Sequence, residues 1–359
     1  MINDFVEYWA AARLFLSGGN PYAPAELFKT QQAIGWTEPA ALLMWNPPWT
    51  LSFIWPLGLL DFDTAQFVWF LVHTLIIFIG AQLLWRFYGG PGGDSRRASF
   101  AVLTFAPVYF VLLLGQIGPM ILLGLVAFLL ALERRWWSLA GASLTLVAIK
   151  PHLLYLFWLA LLLWILKERR WRDAFTMTAG AAVVLIFPLV WDREIYFQYL
   201  QMFSSVGIVR PQEWATPSLG TVLGAVFGID GMWIRWLPGI AGVIWLFWCW
   251  RSYSDHWDWP ERLPLLLLIS VTTASFVWTF DLVVLLPALV QCAVWLTNRH
   301  AYGRHKALLF IYLATNAMLL AGKLYVRNDL WYFWAAPAFL LLYLLLRSKL
   351  QLQLRAGAT

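Results

Sequence analysis

Charge is what this sequence has least of. Only 12% of its 359 residues are Asp, Glu, Lys or Arg, against about a quarter in ordinary soluble domains. Cysteine is nearly absent. The two present, Cys249 and Cys292, each sit inside an apolar run, which argues against a disulfide framework or a Cys-based metal site. No Gly/Ser-rich linker, compositional break or internal repeat divides the chain, so one domain over residues 1–359 is expected. A Walker A loop, an H-E-x-x-H pair, a G-x-S-x-G elbow and a Gly-rich dinucleotide fingerprint are all missing. The chemistries those motifs carry are not the ones to look for.

What replaces charge is apolar bulk. Hydrophobic residues make up 61% of the chain, in runs of roughly 15 to 20, long enough to cross a hydrocarbon core of about 30 Å. Phe67–Leu84, Ala98–Leu114, Leu153–Leu166, Ala174–Val190, Trp233–Trp250 and Leu330–Leu346 are examples. None has the polar stripe of a soluble surface helix. Tryptophan numbers 25, and Trp136, Trp137, Trp171, Trp191, Trp233 and Trp331 fall at run ends, as an interfacial aromatic belt requires. The expectation is an all-α, polytopic transmembrane bundle in the plasma membrane.

The net charge of +6 bears on topology and not on nucleic acid. Basic clusters recur at Arg86/Arg96/Arg97, Arg134/Arg135, Lys167/Arg169/Arg170/Arg172, Arg251/Arg262, Arg299/Arg304/Lys306 and Arg347/Lys349/Arg355. Placing them all in the cytoplasm satisfies the positive-inside rule at every inner loop. Most of the 19 carboxylates then fall outside. The outer segments become residues 1–63, the Gln116 turn, the Lys150 turn, 192–232, the Asp281 turn and 323–329. About eleven crossings result over residues 64–346, with a cytoplasmic tail at 347–359.

Two apolar stretches do not read as spans. Residues 40–60 carry Asn46-Pro47-Pro48 and Pro56, which break helices, and counting them as a crossing would put Arg86–Arg97 outside. Residues 217–230 are short and Gly-rich. Both are expected to be juxtamembrane or re-entrant helices on the outer face. Met1 is followed almost at once by a polar segment, with neither signal peptide nor first span. Either that tail is translocated unaided or a helix lies upstream; the second is the expectation.

The chemically suggestive segment lies at the start. In Asn3-Asp4-Phe5-Val6-Glu7-Tyr8-Trp9, Asp4, Glu7 and Tyr8 are spaced i, i+3 and i+4, which puts them on one face of a helix. Gly18-Gly19-Asn20-Pro21-Tyr22 then turns the chain sharply. On composition alone this is either a solvated loop helix or a pair of carboxylates held beside a membrane. The run D-F-V-E-Y-W-A-A-A-R-L-F-L-S-G-G-N-P-Y resembles the first external loop of glycosyltransferase family 87, polyprenyl-phosphate-mannose-dependent enzymes of the GT-C superfamily. Trp45-Asn46-Pro47-Pro48 resembles the family's Pro-Pro element and Gly115-Gln116 its G-Q motif. Ala140-Gly141 with Ala148-Ile149-Lys150-Pro151 resembles its A-G…K-x-x-P stretch. Ser275-Phe276-Val277-Trp278 with Asp281 and Pro287 resembles its late S-P-x-x-W loop. That loop commonly has Pro after its Ser and a His near the Trp, where Phe276 and Asp281 stand here, and the family's first transmembrane helix has no counterpart.

The resemblance implies a GT-C-type membrane hexosyltransferase acting at the cell envelope. It implies a polyprenyl-phosphate sugar as donor substrate, a lipid or glycan acceptor, and no cofactor, metal or nucleic acid. The leaving group is one lipid-bearing phosphate, whose charge basic side chains can neutralise, and a carboxylate within reach of the acceptor hydroxyl is the natural base. Asp4 is the first candidate for that base from the resemblance, and Glu7 the second on chemistry. Tyr8, Asn20, Tyr22, Gln116, Lys150, His152, Asp281 and Lys323 are the candidates for binding substrate. Each has a plainer alternative. Lys150 could snorkel to the interface, Asp281 could cap a helix, Gln116 could mark a helix break, His152 could be a satisfied polar residue, and Lys323 could be a loop charge. The rival function is a secondary transporter or lipid-linked-sugar flippase, which would place ionisable residues near the midplane and often carry repeats.

Overall fold

The computed structural model describes residues 3–92, 96–205, 215–229, 231–298 and 305–356. Arg299 and Arg304 of one basic cluster, residues 206–214 of the 192–232 segment and Asp230 lie outside them. Among the described residues helix is the only regular secondary structure.

The chain begins with α1 (Phe5–Ser17) and α2 (Pro24–Gln32). The segment after them follows its prolines. A 3-10 turn at Pro48–Thr50, a single α-turn, α3 (Leu51–Ile54), and a second 3-10 turn at Trp55–Leu59 replace any long helix. Then come α4 (Phe62–Phe87), α5 (Arg96–Leu103), α6 (Ala106–Leu114), α7 (Gly118–Glu133), α8 (Trp137–Val147), α9 (Tyr155–Lys167), α10 (Trp171–Ile186) and α11 (Ile195–Ser205). α12 (Leu219–Phe227), α13 (Met232–Tyr253), α14 (Trp259–Thr273), α15 (Leu286–Asn298), α16 (Lys306–Tyr325) and α17 (Ala335–Ala356) complete it.

Among the described residues, six helical stretches are long and apolar enough to cross a membrane: Phe62–Phe87, Trp171–Val190, Met232–Tyr253, Thr279–Asn298, Lys306–Tyr325 and Asp329–Leu350. A seventh follows if α5 and α6, bent by 68° at their junction, count as one broken span. That is fewer than the eleven expected. The difference has a physical source: uninterrupted hydropathy does not report breaks. Pro107 follows the α5–α6 break: it has no N–H for the Leu103 carbonyl, and its ring would clash with it, so the helix cannot run through. α7, α8 and α9, separated at Arg134/Arg135 and at Lys150 as the charges indicate, have only 16, 11 and 13 residues, short of the roughly 20 that a full crossing takes.

The chain divides into two compact units. One comprises Met1–Ile76, Val111–Lys150 and Arg170–Glu213; the other comprises Ile77–Phe110, Pro151–Arg169 and Trp214–Thr359. In the first, α8 and α10 pack backbone to backbone. A Cβ on Gly141 would overlap the Met177 carbonyl, and one on Gly180 the Ser138 carbonyl. Small residues permit such approach where lipid gives no hydrophobic drive between helices.

α1 is no solvated loop helix. Phe5, Val6, Tyr8, Ala10, Ala11 and Ala12 are fully buried. Its flank rests on the Trp55–Leu59 turn, where Gly58 leaves room for the Ala12 backbone. The Arg13 guanidinium donates to the Gly58 carbonyl at 2.9 Å and the Trp9 indole to the Leu60 carbonyl at 3.1 Å. The helix is thereby clamped with its N-terminal turn fixed in place.

Candidate active site

In the first unit, the α6–α7 junction meets the start of α1. Gly115 ends α6 with φ +69°, and a Cβ there would sit 2.8 Å from the Phe5 Cβ and 2.9 Å from the Asn3 Oδ1. Left-handed backbone and close approach both require glycine. Asn3 fastens the contact, its Nδ2 donating to the Leu113 carbonyl at 2.8 Å and its Oδ1 accepting from Gln66 Nε2 at 3.0 Å. The Trp69 indole donates to the Gly115 carbonyl at 2.8 Å. The next residue, Gln116, is thus aimed at α1.

Gln116 is buried and joins three of the candidates. Its Nε2 donates to Asp4 Oδ2 at 2.9 Å, and its Oε1 accepts from the Tyr8 hydroxyl at 3.2 Å and the Lys150 ammonium at 3.4 Å. Because an amide has one donor end and one acceptor end, this arrangement sorts the site by charge. The carboxylate lies on the NH₂ side and the cation on the carbonyl side. Asp4 precedes α1 without capping it by its side chain, and its residue is half-buried, as is Lys150. Lys150 follows the end of α8, and the Asn46-Pro47-Pro48 element comes beside it. Asn46 Nδ2 reaches the Ile149 carbonyl at 3.5 Å, and the Trp49 indole donates to the Thr145 carbonyl at 3.1 Å.

Glu7 shares the face but not the exposure. It is 7% accessible. Burial pushes its carboxyl up from a glutamate's usual range to about 8, against the pull of the Tyr8 hydroxyl; Asp4 adds to the rise and Lys150 opposes it. A desolvated carboxyl favours its neutral form. Near neutral pH Glu7 therefore holds its proton.

Asn20 and Tyr22 shape the loop. The Asn20 Oδ1 accepts from the Tyr22 N–H at 2.8 Å, and its own N–H donates to Glu26 Oε2 at 2.9 Å. Tyr22 is buried, donates from its hydroxyl to the Asn46 carbonyl at 3.1 Å and stacks edge-on against Tyr199 at 5.1 Å. They tie the first loop to the Pro-Pro element.

The remaining candidates belong to the second unit. His152 is exposed, its ring edge-on to Phe276 at 6.4 Å. Asp281, fully buried, accepts the Trp278 N–H at 2.9 Å at the start of the 3-10 stretch before α15, in the manner of a helix cap. Lys323 pairs with Asp329 and lies 4.4 Å from the centre of the Tyr332 ring. Among the described residues no three His, Cys, Asp or Glu side chains are grouped so as to hold a metal ion.

The sequence reading passed over three residues. Asn3 and Gln66 hold the Gly115 turn, and nothing in their spacing announces it. Arg235, 8% accessible within α13 and 5.5 Å from the Phe276 ring centre, carried a legible signal. An arginine inside an apolar span is costly enough to need a reason.

A family model, glycosyltransferase family 87, matches residues 45–274. That range takes in Asn46, Gln116, Lys150, His152 and Arg235 and stops short of Asp4, Glu7, Asp281 and Lys323. Neither a curated protein nor a solved structure matches the chain.

Proposed function

The chain belongs to glycosyltransferase family 87, a family of membrane glycosyltransferases, and from that premise we propose that it moves a hexose, mannose by family expectation, from a polyprenyl-phosphate donor to a lipid or glycan acceptor. The multi-pass membrane character follows from its apolar helices and its family, and the membership sets aside the carrier alternative. The observation that carries the finer reading is the Asp4–Gln116–Lys150 relay. It joins two residues inside the family match to a carboxylate outside it.

In this reading the acceptor oxygen attacks the anomeric carbon, and the bond from that carbon to the phosphate oxygen breaks with its electron pair leaving on phosphate. The hydroxyl proton passes to Asp4, and one displacement inverts the sugar carbon. The transition state is oxocarbenium-like, as in glycoside hydrolysis. Lys150 balances the phosphate charge as a point cation. Gln116 keeps acid and cation apart, and Tyr8 orients it. Glu7, neutral and buried, adds no negative charge beside Lys150. Asn20 and Tyr22 act on substrate through the loop they shape. His152, Asp281 and Lys323, in the second unit, carry no step in this scheme. Neutralisation by side chains needs no metal.

Segregation of basic residues supports a plasma-membrane protein with this site on the non-cytoplasmic face. The fuller count of about eleven crossings requires the bent α5–α6 pair and the shorter helices α7, α8, α9 and α14 to traverse protein-lined parts of the bilayer.

The test is a transfer assay in membranes containing the enzyme, with a panel of polyprenyl-phosphate sugars, nucleotide sugars and a lipid extract as acceptor. Labelled hexose should leave the polyprenyl phosphate alone, with inverted anomeric configuration in the product. Transfer only from a nucleotide sugar would overturn the reading.

A further inference from the structure

The second unit contains a cavity that the transfer chemistry does not use. It holds about 130 Å³ of internal space among α5, α15, α16 and α17. Each helix lines it with residues three or four apart: Arg97 and Ala101 on α5, with Phe105 just past its end, Leu308 and Tyr312 on α16, and corresponding rows on α15 and α17. Rows of that spacing follow one helix face for about two turns, roughly 11 Å at 5.4 Å per turn. The cavity is a slot running along the helices.

Its two ends differ in chemistry. At one end the Arg97 guanidinium donates to Thr297 Oγ1 at 3.0 Å, near the start of α5 and the end of α15, and His305 lines the wall just before α16. At the other the rings of Phe105 and Phe339 meet at 5.2 Å and the hydroxyls of Thr104 and Tyr312 at 3.1 Å, which closes the slot. The Tyr343 hydroxyl, between them, is spent on Gln291 at 2.6 Å. The middle therefore offers a ligand only apolar surface. Phe100 lines the slot and is 56% exposed, so the cavity opens on the side of the protein.

We propose that this slot is a binding site for an anionic glycerophospholipid of the bilayer, with one acyl chain between the helices and the phosphate on Arg97, His305 beside it. An apolar slot closed at one end, open on its side and bearing a cation at the other end matches a chain attached to an anion. Guanidinium is the group of choice for phosphate, since its fork meets two oxygens. Arg96, at the start of α5, and Lys306, at the start of α16, stand at the same end. Basic pockets between transmembrane helices on the cytoplasmic side are where anionic head groups bind, and the positive-inside rule puts this end there. The site is separate from the Asp4 relay and does not depend on the transferase reading.

The experiment uses the full-length enzyme in phosphatidylcholine nanodiscs doped with phosphatidylglycerol bearing a photoactivatable group on its acyl chain. Crosslinks should map to Cys292–Leu296 and Leu308–Tyr312. Unlabelled phosphatidylglycerol should compete in the wild-type enzyme while phosphatidylcholine does not, a comparison that needs no variant to fold. Arg97→Gln should cut labelling roughly tenfold or more, as loss of hydrogen bonds to a charged group implies, and Ala293→Phe should abolish it by filling the slot. Equal competition by phosphatidylcholine, or unchanged labelling in both variants, would overturn the site. Stronger competition by undecaprenyl phosphate than by phosphatidylglycerol would overturn the lipid class and make the slot a second place for the donor's lipid.

Discussion

At the scale of single residues, the protonation of Glu7 is the most exposed claim. Its folded-state carboxyl titrates near 8 while an unfolded glutamate titrates near 4.5. Between those values the folded protein binds more protons than the unfolded chain, so stability falls as pH rises through the window and levels off above it. Thermal midpoints measured from pH 5 to 9 should show that decline, and Glu7→Gln should flatten it; an unaltered slope in the variant would place its source elsewhere. The same proton bears on the donor. Ionised Glu7 would add a negative charge beside Lys150, so donor affinity should weaken above about pH 8 in wild type and not in Glu7→Gln. Lys150→Met, which keeps the stem and removes the charge, should weaken donor binding at every pH, whereas unchanged affinity would return Lys150 to snorkelling. The helical spacing of Asp4, Glu7 and Tyr8 was legible in the sequence. Which carboxylate would be buried was not, because burial is decided by how α1 packs against segments distant in sequence.

Among elements, the α6–α7 junction does most to build the site. Gly115-Gln116 is readable as a motif, but its meaning depends on Asn3 and Phe5 pressing on the glycine. Gly115→Ala would be strained both by its left-handed backbone, at roughly 1–3 kcal/mol, and by those contacts. It should lower the thermal midpoint and cost transfer activity together, with Gln116→Ala sparing stability more than activity. A Gly115→Ala enzyme with normal turnover would show that the turn does not aim Gln116. Ala140-Gly141 is the opposite case. The sequence suggests a functional motif, and the structure gives it to packing of α8 on α10. The prolines of residues 40–60 broke that segment as their chemistry requires. The break between α5 and α6 went unseen, since hydropathy averages over it, whereas the turns between α7, α8 and α9 fall at Arg134/Arg135 and Lys150, where the charges put them.

For the whole molecule, composition fixed the class and charge segregation suggested sidedness, while the division into two compact units left no mark in composition. Sidedness is testable in intact cells. A cysteine at Asp255, in the exposed turn after α13, should resist an impermeant thiol reagent, and one at Asp192 should react; strong labelling at 255 would reverse the arrangement. The central claim is that the half-buried Asp4 takes the acceptor proton. The most direct measurement compares wild type with Asp4→Asn in proteoliposomes, following donor binding and hexose transfer on the same preparation. Asparagine keeps the shape and can still meet Gln116, so the variant should insert, fold and bind donor normally while transfer slows by about 10²- to 10⁴-fold, the usual range for a lost general base. Wild-type turnover in Asp4→Asn would contradict the account.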